Sequence, residues 1–316
     1  MVNNFRYSNT NKRYYTLDYF YKEKFGCKVS KVSLNAGFTC PNKDGTKGFG
    51  GCIFCSKSGS GDFAGDPKSS VVSQFMSVKE MMDSKWKDAL YIGYFQANTN
   101  TYAPVSVLRE KYEAILALPK VVGLSIATRC DAISCECLDY LEELNKRTFL
   151  TVELGLQTIH DATSKFINRG HSLEEFETMV KKLRERNISV VVHIINGLPG
   201  ETMDMMMETV KYLSTLDIQG VKIHMLHIVK NTRLADIYEE NPFPLLTRDE
   251  YIELIVDQLE ILPEHFVIHR LTRDPDRDEL IAPEWTINKI DVLNGVDKLL
   301  AKRDSYQGKK IGSTSI

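Results

Sequence analysis

The run Asn35-Ala-Gly-Phe-Thr-Cys-Pro-Asn-Lys-Asp-Gly-Thr-Lys-Gly-Phe-Gly-Gly-Cys-Ile-Phe-Cys55 constrains this chain more than any other stretch. It carries Cys40, Cys52 and Cys55, three of the seven cysteines, and a second run of small residues follows from Ser56 to Gly65. A loop this rich in glycine buries little apolar surface, so its order must come from another source. Three thiols in one loop point to a metal centre, because an unligated cysteine normally sits buried and this loop has little to bury it in.

The spacing narrows the metal. A structural zinc site takes four ligands, usually as two paired half-sites, whereas here one Cys-x2-Cys has a single upstream partner. A thioredoxin-type pair opens a helix, but Cys55 is followed by Ser-Lys-Ser-Gly-Ser-Gly, which does not propagate one. Three thiolates on a four-iron cube leave one iron open to an exogenous chelator.

The chain has 316 residues, 43% hydrophobic and 26% charged, which fits one large domain or one with an appendage. The N-terminus lacks an apolar signal region, and no run of about 18 apolar residues spans a membrane. The expectation is a cytoplasmic protein with no membrane partner. An odd number of cysteines without a secretion signal argues against a disulfide framework. A net charge of -2 gives no global basic field, so any nucleic-acid site must be a local patch. Residues 11 to 31 interleave Lys12, Arg13, Lys22, Lys24, Lys28 and Lys31 with Tyr14, Tyr15, Tyr19, Phe20 and Tyr21. Such a mixture either tracks a phosphate backbone and stacks bases, or forms an amphipathic segment packed on the core.

Beyond the loop, strand and helix periods alternate. Strands are predicted over Val32 to Phe38, Ala89 to Phe95, Val121 to Ala127, Phe149 to Leu156, Ile188 to Ile195 and Val221 to Ile228. Helices are predicted over Val71 to Trp86, Val105 to Leu118, from Ser134 to Asn145, from Ser172 to Arg186 and over Met203 to Thr215. Six strand-helix units argue for a parallel sheet, in an open barrel of the TIM type or a doubly wound arrangement, and no Gly-x-Gly-x-x-Gly turn follows the first strand. The chain divides into an N-terminal segment (1–30), a core (31–230) and a C-terminal extension (231–316). In the extension Arg248 to Leu262 is an amphipathic helix. Arg270, Arg273 and Arg277, balanced by Asp274, Asp276, Asp278 and Glu279, read as a salt-bridged turn.

In parallel barrels the active residues gather at the carboxyl ends of the strands. Strand two ends in a polar run with Gln96, Asn98 and Thr99. Strand three ends at Arg129 and Asp131, which reads as an anion clamp or as a rim ion pair. Cys130, Cys135 and Cys137 form a second loose group, which reads as an auxiliary cluster site or as small residues packed across a strand-to-helix junction. On strand four Thr151, Glu153, Gly155 and Gln157 share one face, so a buried Glu153 needs a partner. Arg169 alone reads as a cation at a helix C-terminus. His193, Lys222 and His224 are candidates to point inward, although a lone strand histidine is more often a hydrogen-bonded core residue. The Gly197-Leu-Pro-Gly200 turn lets backbone approach a ligand closely.

The cysteine loop resembles the cluster-binding loop of radical S-adenosylmethionine (SAM) enzymes, in the branch called YtqA-like or YhcC-like. The usual spacing is Cys-x3-Cys-x2-Cys; here the first gap holds eleven residues, as in that branch, and the aromatic Phe54 precedes the last cysteine. The resemblance implies an α/β fold, a partial TIM-type (β/α)6 radical SAM barrel with a C-terminal extension. It implies a 4Fe-4S cluster on Cys40, Cys52 and Cys55, with S-adenosyl-L-methionine chelating the fourth iron and cleaved to a 5'-deoxyadenosyl radical. The stretch from Phe95 to Ala103 resembles the branch too, and Gln96, Asn98 and Thr99 stand where many relatives have Gly-Gly-Glu to receive the methionine amine. Gly155-Leu-Gln157 to Asn168-Arg-Gly170 resembles a block of oxygen-independent coproporphyrinogen dehydrogenases, which assigns Gln157 and Arg169 to the methionine part. Gly197 and Gly200 would lie under the adenine, and Glu153, His193 and His224 are the catalytic candidates.

The branch also resembles the catalytic subunit of elongator, without its acetyltransferase half. That implies conversion of a tRNA wobble uridine from the carboxymethylaminomethyl to the aminomethyl form, with tRNA and a low-potential electron donor such as flavodoxin or ferredoxin as partners. Two alternatives stay open: a radical SAM enzyme acting on a small molecule or peptide, and a non-enzymatic zinc-binding module.

Overall fold

The computed structural model describes residues 3, 5–56, 59, 61, 64–273 and 275–311; Asp274 of the arginine-rich turn lies outside them. Helix α1 (Leu17–Phe25) precedes β1 (Val29–Leu34), α2 (Val71–Asp83), β2 (Leu90–Phe95), α3 (Val105–Leu116), β3 (Val121–Thr128) and α4 (Cys135–Asn145). There follow β4 (Phe149–Gln157), α5 (Asp161–Phe166), α6 (Leu173–Glu185), β5 (Ser189–Asn196), α7 (Met203–Leu213) and β6 (Gly220–Met225). The C-terminal part holds β7 (Ile228–Val229), α8 (Arg233–Glu240), α9 (Arg248–Ile261), β8 (Val267–Arg270), β9 (Leu280–Ala282) and α10 (Lys289–Lys302).

One sheet has seven strands in the order β1-β2-β3-β4-β5-β6-β8, and β7 pairs with β9 in a separate antiparallel ribbon. Strands adjacent in the chain lie adjacent in the sheet, as successive crossovers of one hand require. The six expected strands are present, and the extension adds a seventh, β8, parallel to β6. The predicted sixth strand divides: its ladder ends at Met225, and Ile228 and Val229 turn to pair with β9.

The chain forms two compact units that alternate along the sequence. The first comprises Tyr21–Gly155 and Arg169–Val191. Its strands β1 to β4 pair in parallel, with Val32 beside Gly93 and Gly93 beside Leu124. A Cβ on Gly93 would lie 2.6 Å from Ile115, so α3 packs close against the sheet and only glycine fits there. Ser134 caps α4, and Ser172 with Glu175 forms a capping box on α6, as the sequence predicts. On β4 both faces are buried, Val152 and Leu154 on one and Thr151 and Glu153 on the other.

Strand β1 begins and ends three to four residues earlier than predicted. The ladder stops at Leu34 because buried Gln74 takes over the next backbone groups: its Oε1 accepts from the Asn35 amide at 2.9 Å and its Nε2 donates to the Asn35 carbonyl at 2.9 Å. The cysteine loop therefore starts from an anchored point.

The second unit comprises the chain up to Phe20, Leu156–Asn168 and everything from Val192. The edge of β8 is covered by the N-terminal segment, where the Ile268 amide donates to the Tyr15 carbonyl at 2.7 Å. Tyr15 in turn stacks on Tyr7 with ring centres 4.4 Å apart, Lys12 pairs with Asp297 at 2.6 Å and Arg13 with Asp304 at 3.1 Å. For these residues the packed-segment reading describes the structure. A reciprocal amide pair, Asn196 with Gln258 at 2.8 and 3.0 Å, ties the end of β5 to α9. Among the described residues no helix is long and apolar enough to cross a membrane.

Candidate metal centre and active site

The loop after β1 folds back on its own beginning. The Lys43 amide donates to the Cys40 carbonyl at 2.8 Å, the Lys47 and Gly48 amides to Pro41 at 2.9 and 3.1 Å, and the Gly51 amide to Asn42 at 2.8 Å. Gly50 and Gly51 make this return at φ of 76° and 75°, a region that disfavours other residues. The eleven-residue gap is thus a closed excursion that brings Cys52 back toward Cys40, and the Cys55 amide then turns onto the Cys52 carbonyl at 2.9 Å.

Two side chains inside the gap brace it. The buried Asn42 amide nitrogen lies 3.8 Å from the Cys52 Sγ and 3.5 Å from the Arg169 carbonyl. Lys43 Nζ donates to the Ser56 carbonyl and to Asn98 Oδ1, both at 3.1 Å. Neither residue stands out in the sequence, since a polar side chain in a glycine-rich loop leaves no periodic trace.

All three thiols are free and half-buried. Burial pushes the Cys52 thiol up to about 12, the Cys55 and Cys40 charges add to this, and Arg129 and the Asn42 hydrogen bond oppose it. The three sulfurs therefore share one electrostatic neighbourhood with a cation beside it. Among the described residues no group of three or more His, Cys, Asp or Glu closes on a point suited to a single metal ion. The thiolates of an iron-sulfur cube each hold a different iron, so they need a shared neighbourhood and not a shared point. The donor set fits such a cluster.

Arg129 stands next to this loop, and its side chain is only 11% exposed. Its Nε and Nη2 donate to the two oxygens of Asp131 at 2.9 and 3.0 Å, and its Nη1 donates to the Arg169 carbonyl at 2.7 Å. The ion-pair reading of Arg129 is what the structure contains, but the pair is interior and not at the rim. Burial alone would raise the Asp131 carboxyl; the Arg129 hydrogen bonds and charge, with His171 and Lys47, hold it below its usual value. Lys47 Nζ lies 3.2 Å from Asp131.

Arg169 is 1% exposed, and its Nε and Nη2 donate to the His171 carbonyl at 3.0 and 2.9 Å. Gly170 between them has φ of 80°, and a Cβ there would lie 2.7 Å from Asn42 Oδ1. The Arg169-Gly170-His171 turn is therefore pressed onto the cysteine loop. Burial, then the charges of Arg169 and Arg129, bring the His171 imidazole down to about 4.

The other first-unit candidates are placed as follows. The Gln96 amide continues the sheet onto Leu34 at 3.2 Å, and the Thr99 amide donates to the Thr39 carbonyl at 3.2 Å, beside Cys40. Asn98 has φ of 59°, held by Lys43 on its side chain and Gly59 on its amide. Glu153 is 1% exposed and is met by Lys31 Nζ at 2.6 Å and Ser125 Oγ at 2.6 Å. Its partners include side chains of the same unit, and Lys31, read in the sequence with the basic run, is a strand residue turned inward. Cys130 and Cys137 are buried, which pushes both thiols up to about 12, while Cys135 is exposed.

In the second unit Gln157 ends β4 at φ of 62°, a conformation uncommon for glutamine, and Gly197 and Gly200 turn at φ of 89° and 83°. The Gly197 amide points at the Met206 sulfur at 3.0 Å. Glu201 follows this turn, raised by burial despite a hydrogen bond from Thr158. His193 and His224 have ring centres 5.3 Å apart. Burial, then the charges of His193, Lys222, Arg270 and Arg273, hold His224 well below its usual value, and its Nδ1 lacks a hydrogen-bond partner among the described residues. Lys222 is buried and is the neighbour of Arg270 across β6 and β8, where the register shifts. Arg270 thus ends a strand, which the salt-bridged-turn reading did not foresee. In the acidic run Asp276 Oδ1 accepts from the Asp278 amide at 3.0 Å, and Lys230 Nζ donates to the Asp278 carbonyl at 2.6 Å.

The sequence model of the Radical SAM superfamily matches residues 40–213, and that of the Radical SAM C-terminal domain matches residues 218–302. The Bacillus subtilis protein YtqA is 54% identical over 310 residues, 98% of this chain and 96% of the relative. A tRNA uridine(34) acetyltransferase of Methanocaldococcus infernus is 28% identical over 158 residues, 49% of this chain and 29% of that protein. Among solved structures the archaeal Methanocaldococcus infernus Elp3 with an N-terminal deletion is similar in fold, with a TM-score of 0.66 at 19% identity. The likeness covers 88% of this chain, which spans 64% of that one.

Proposed function

The chain belongs to the radical SAM superfamily, and from that premise we propose that it holds a 4Fe-4S cluster on Cys40, Cys52 and Cys55, binds S-adenosyl-L-methionine and modifies the wobble uridine of tRNA. The observation that carries the cofactor reading is the closed cysteine loop, with three thiols in one neighbourhood, an amide donor on Cys52 and the Arg129 cation beside them. When bound, cluster and SAM supply one-electron chemistry that makes an unactivated C–H bond reactive.

The chain's own residues bind and orient. Asn42 and Arg129 offset the negative charge of the thiolates, which lowers the cost of holding them half-buried. In the first unit the proposed contacts to SAM are Gln96, Asn98, Thr99 and Arg169, and in the second they are Gln157, Gly197 and Gly200. Glu153, His193 and His224 are the proposed catalytic group. For Glu153 the ion pair with Lys31 makes the carboxylate a fixed charge. His224, held neutral by burial and nearby cations, would serve as a neutral hydrogen-bond partner there.

The substrate reading is supported by the similarity to a tRNA uridine(34) acetyltransferase over 49% of this chain. A two-electron oxidation of the glycine-like methylene of a carboxymethylaminomethyl group to an imine, with SAM as the oxidant and methionine and 5'-deoxyadenosine as its products, then hydrolysis, would release the two-carbon unit as glyoxylate and leave the aminomethyl form. A flavodoxin or ferredoxin would deliver the electron. The test is mass spectrometry of tRNA nucleosides from a deletion strain: the carboxymethylaminomethyl form should accumulate, and unchanged wobble uridines would sink the substrate reading.

A further inference from the structure

Arg129 and Asn42 both act on the ligand sulfurs, and neither belongs to the set that holds iron or SAM. The Asn42 amide is 3.8 Å from the Cys52 Sγ, within the range of an N–H···S hydrogen bond. Arg129 lies beside that amide: both reach the Arg169 carbonyl, and a Cβ built on Gly170 would sit 2.7 Å from Asn42 Oδ1 and 3.5 Å from Arg129 Nη2. Both are locked in place. The guanidinium is held by two bonds to Asp131 and one to the Arg169 carbonyl, the same carbonyl that Asn42 reaches. Gly170, with no room for a Cβ against Asn42 Oδ1, closes the arrangement from the other side. Asp131, which would otherwise cancel the guanidinium charge, is shared with Lys47 at 3.2 Å, so the group as a whole stays cationic.

Adding one electron to a thiolate-held cluster raises its negative charge. A fixed cation and a hydrogen bond to sulfur stabilise that state more than the oxidised one. Resting on the cluster reading above, we propose that Arg129 and Asn42 set the reduction potential of the cluster, Arg129 as the main positive charge and Asn42 as a donor to a ligand sulfur. They are positioning and tuning residues, and Asp131 fixes the sign and place of the effect.

The experiment is a potentiometric titration of the full-length, anaerobically reconstituted protein, with the reduced cluster read by electron paramagnetic resonance and iron counted in every sample. R129Q should lower the ratio of reduced to oxidised cluster at a fixed solution potential about tenfold, which is about 59 mV for a one-electron couple. N42L should lower it about threefold. D131N should raise the ratio, an opposite sign that general damage to the loop does not produce. R129K, which keeps the charge, serves where R129Q loses iron, and should stay within about twofold of the unaltered protein. The proposal is overturned if R129Q keeps its iron and its potential, if R129Q and D131N move the potential in the same direction, or if R129K falls as far as R129Q. A protein that assembles no four-iron cluster in unaltered form would instead contradict the cluster reading, and the iron count tells the two failures apart.

Discussion

Two buried places in this chain handle charge differently: one sets cations against carboxylates, the other gathers cations about a histidine. In the first unit Arg129 faces Asp131 and Lys31 faces Glu153, each pair largely buried and each tied by further hydrogen bonds. In the second unit the charges acting most strongly on His224 are those of His193, Lys222, Arg270 and Arg273, all of one sign. The contrast separates two tasks. Matched buried pairs fix geometry at little net gain in stability, which suits a scaffold that must present three thiols. A histidine kept neutral by burial and neighbouring cations is a perturbed group of the kind found at functional sites.

The largest effect should come from the loop itself. C52A should lose most of its iron and its brown absorbance, and produce no 5'-deoxyadenosine, while its far-ultraviolet circular dichroism stays near that of the unaltered protein, because sheet and helices do not depend on Cys52. A variant that kept full iron would break the assignment of the ligands.

Next comes the buried pair. E153Q leaves Lys31 without its carboxylate and should destabilise the protein by about 3–5 kcal/mol in denaturant titrations, whereas the double variant K31M/E153L should recover most of the loss. E153Q should also slow turnover; if the folded fraction kept full turnover, Glu153 would belong with the scaffold alone and not with the proposed catalytic residues.

The two units each contain a histidine held below its usual value, and the sign is the same for both. The unfolded chain takes up a proton near pH 6.5 while the native imidazole resists, so stability falls as pH drops below about 6.5. For His171 this loss should run from about 6.5 to about 4 and then level off, because the native group also titrates there. H171Q should flatten that window, and H224Q should remove a slope that continues to lower pH. Thermal melts across the range decide it.

The smallest effect should come from the turn pressed onto the loop. G170A, at φ of 80° and 2.7 Å from Asn42 Oδ1, should cost about 1–2 kcal/mol. It should also alter the cluster's paramagnetic spectrum more than a substitution at Gly200, where a Cβ meets nothing within 4 Å.

Much of the scaffold was legible because it is periodic. The alternation on β4 placed Glu153 on a buried polar face, and the Ser134 and Ser172 caps located α4 and α6 to within a residue. What was missed is what periodicity does not encode. Strand β8 has four residues, two of them charged or polar, and is recruited only because β6 offers an edge. Lys31 finds Glu153 across 122 residues of chain, and a long-range pair has no local signature. In the cysteine loop the three proposed ligands stand out by residue type and spacing, whereas the bracing by Asn42, Lys43 and Arg129 depends on how the gap closes. That closure gives the long spacing a structural reason, since the excursion carries its own donors.

The central claim is that Cys40, Cys52 and Cys55 hold a cluster at which SAM is cleaved. Anaerobically reconstituted protein should bind about four irons, the complement of one cube, and should form 5'-deoxyadenosine from SAM under dithionite. The same iron content with no 5'-deoxyadenosine would contradict it.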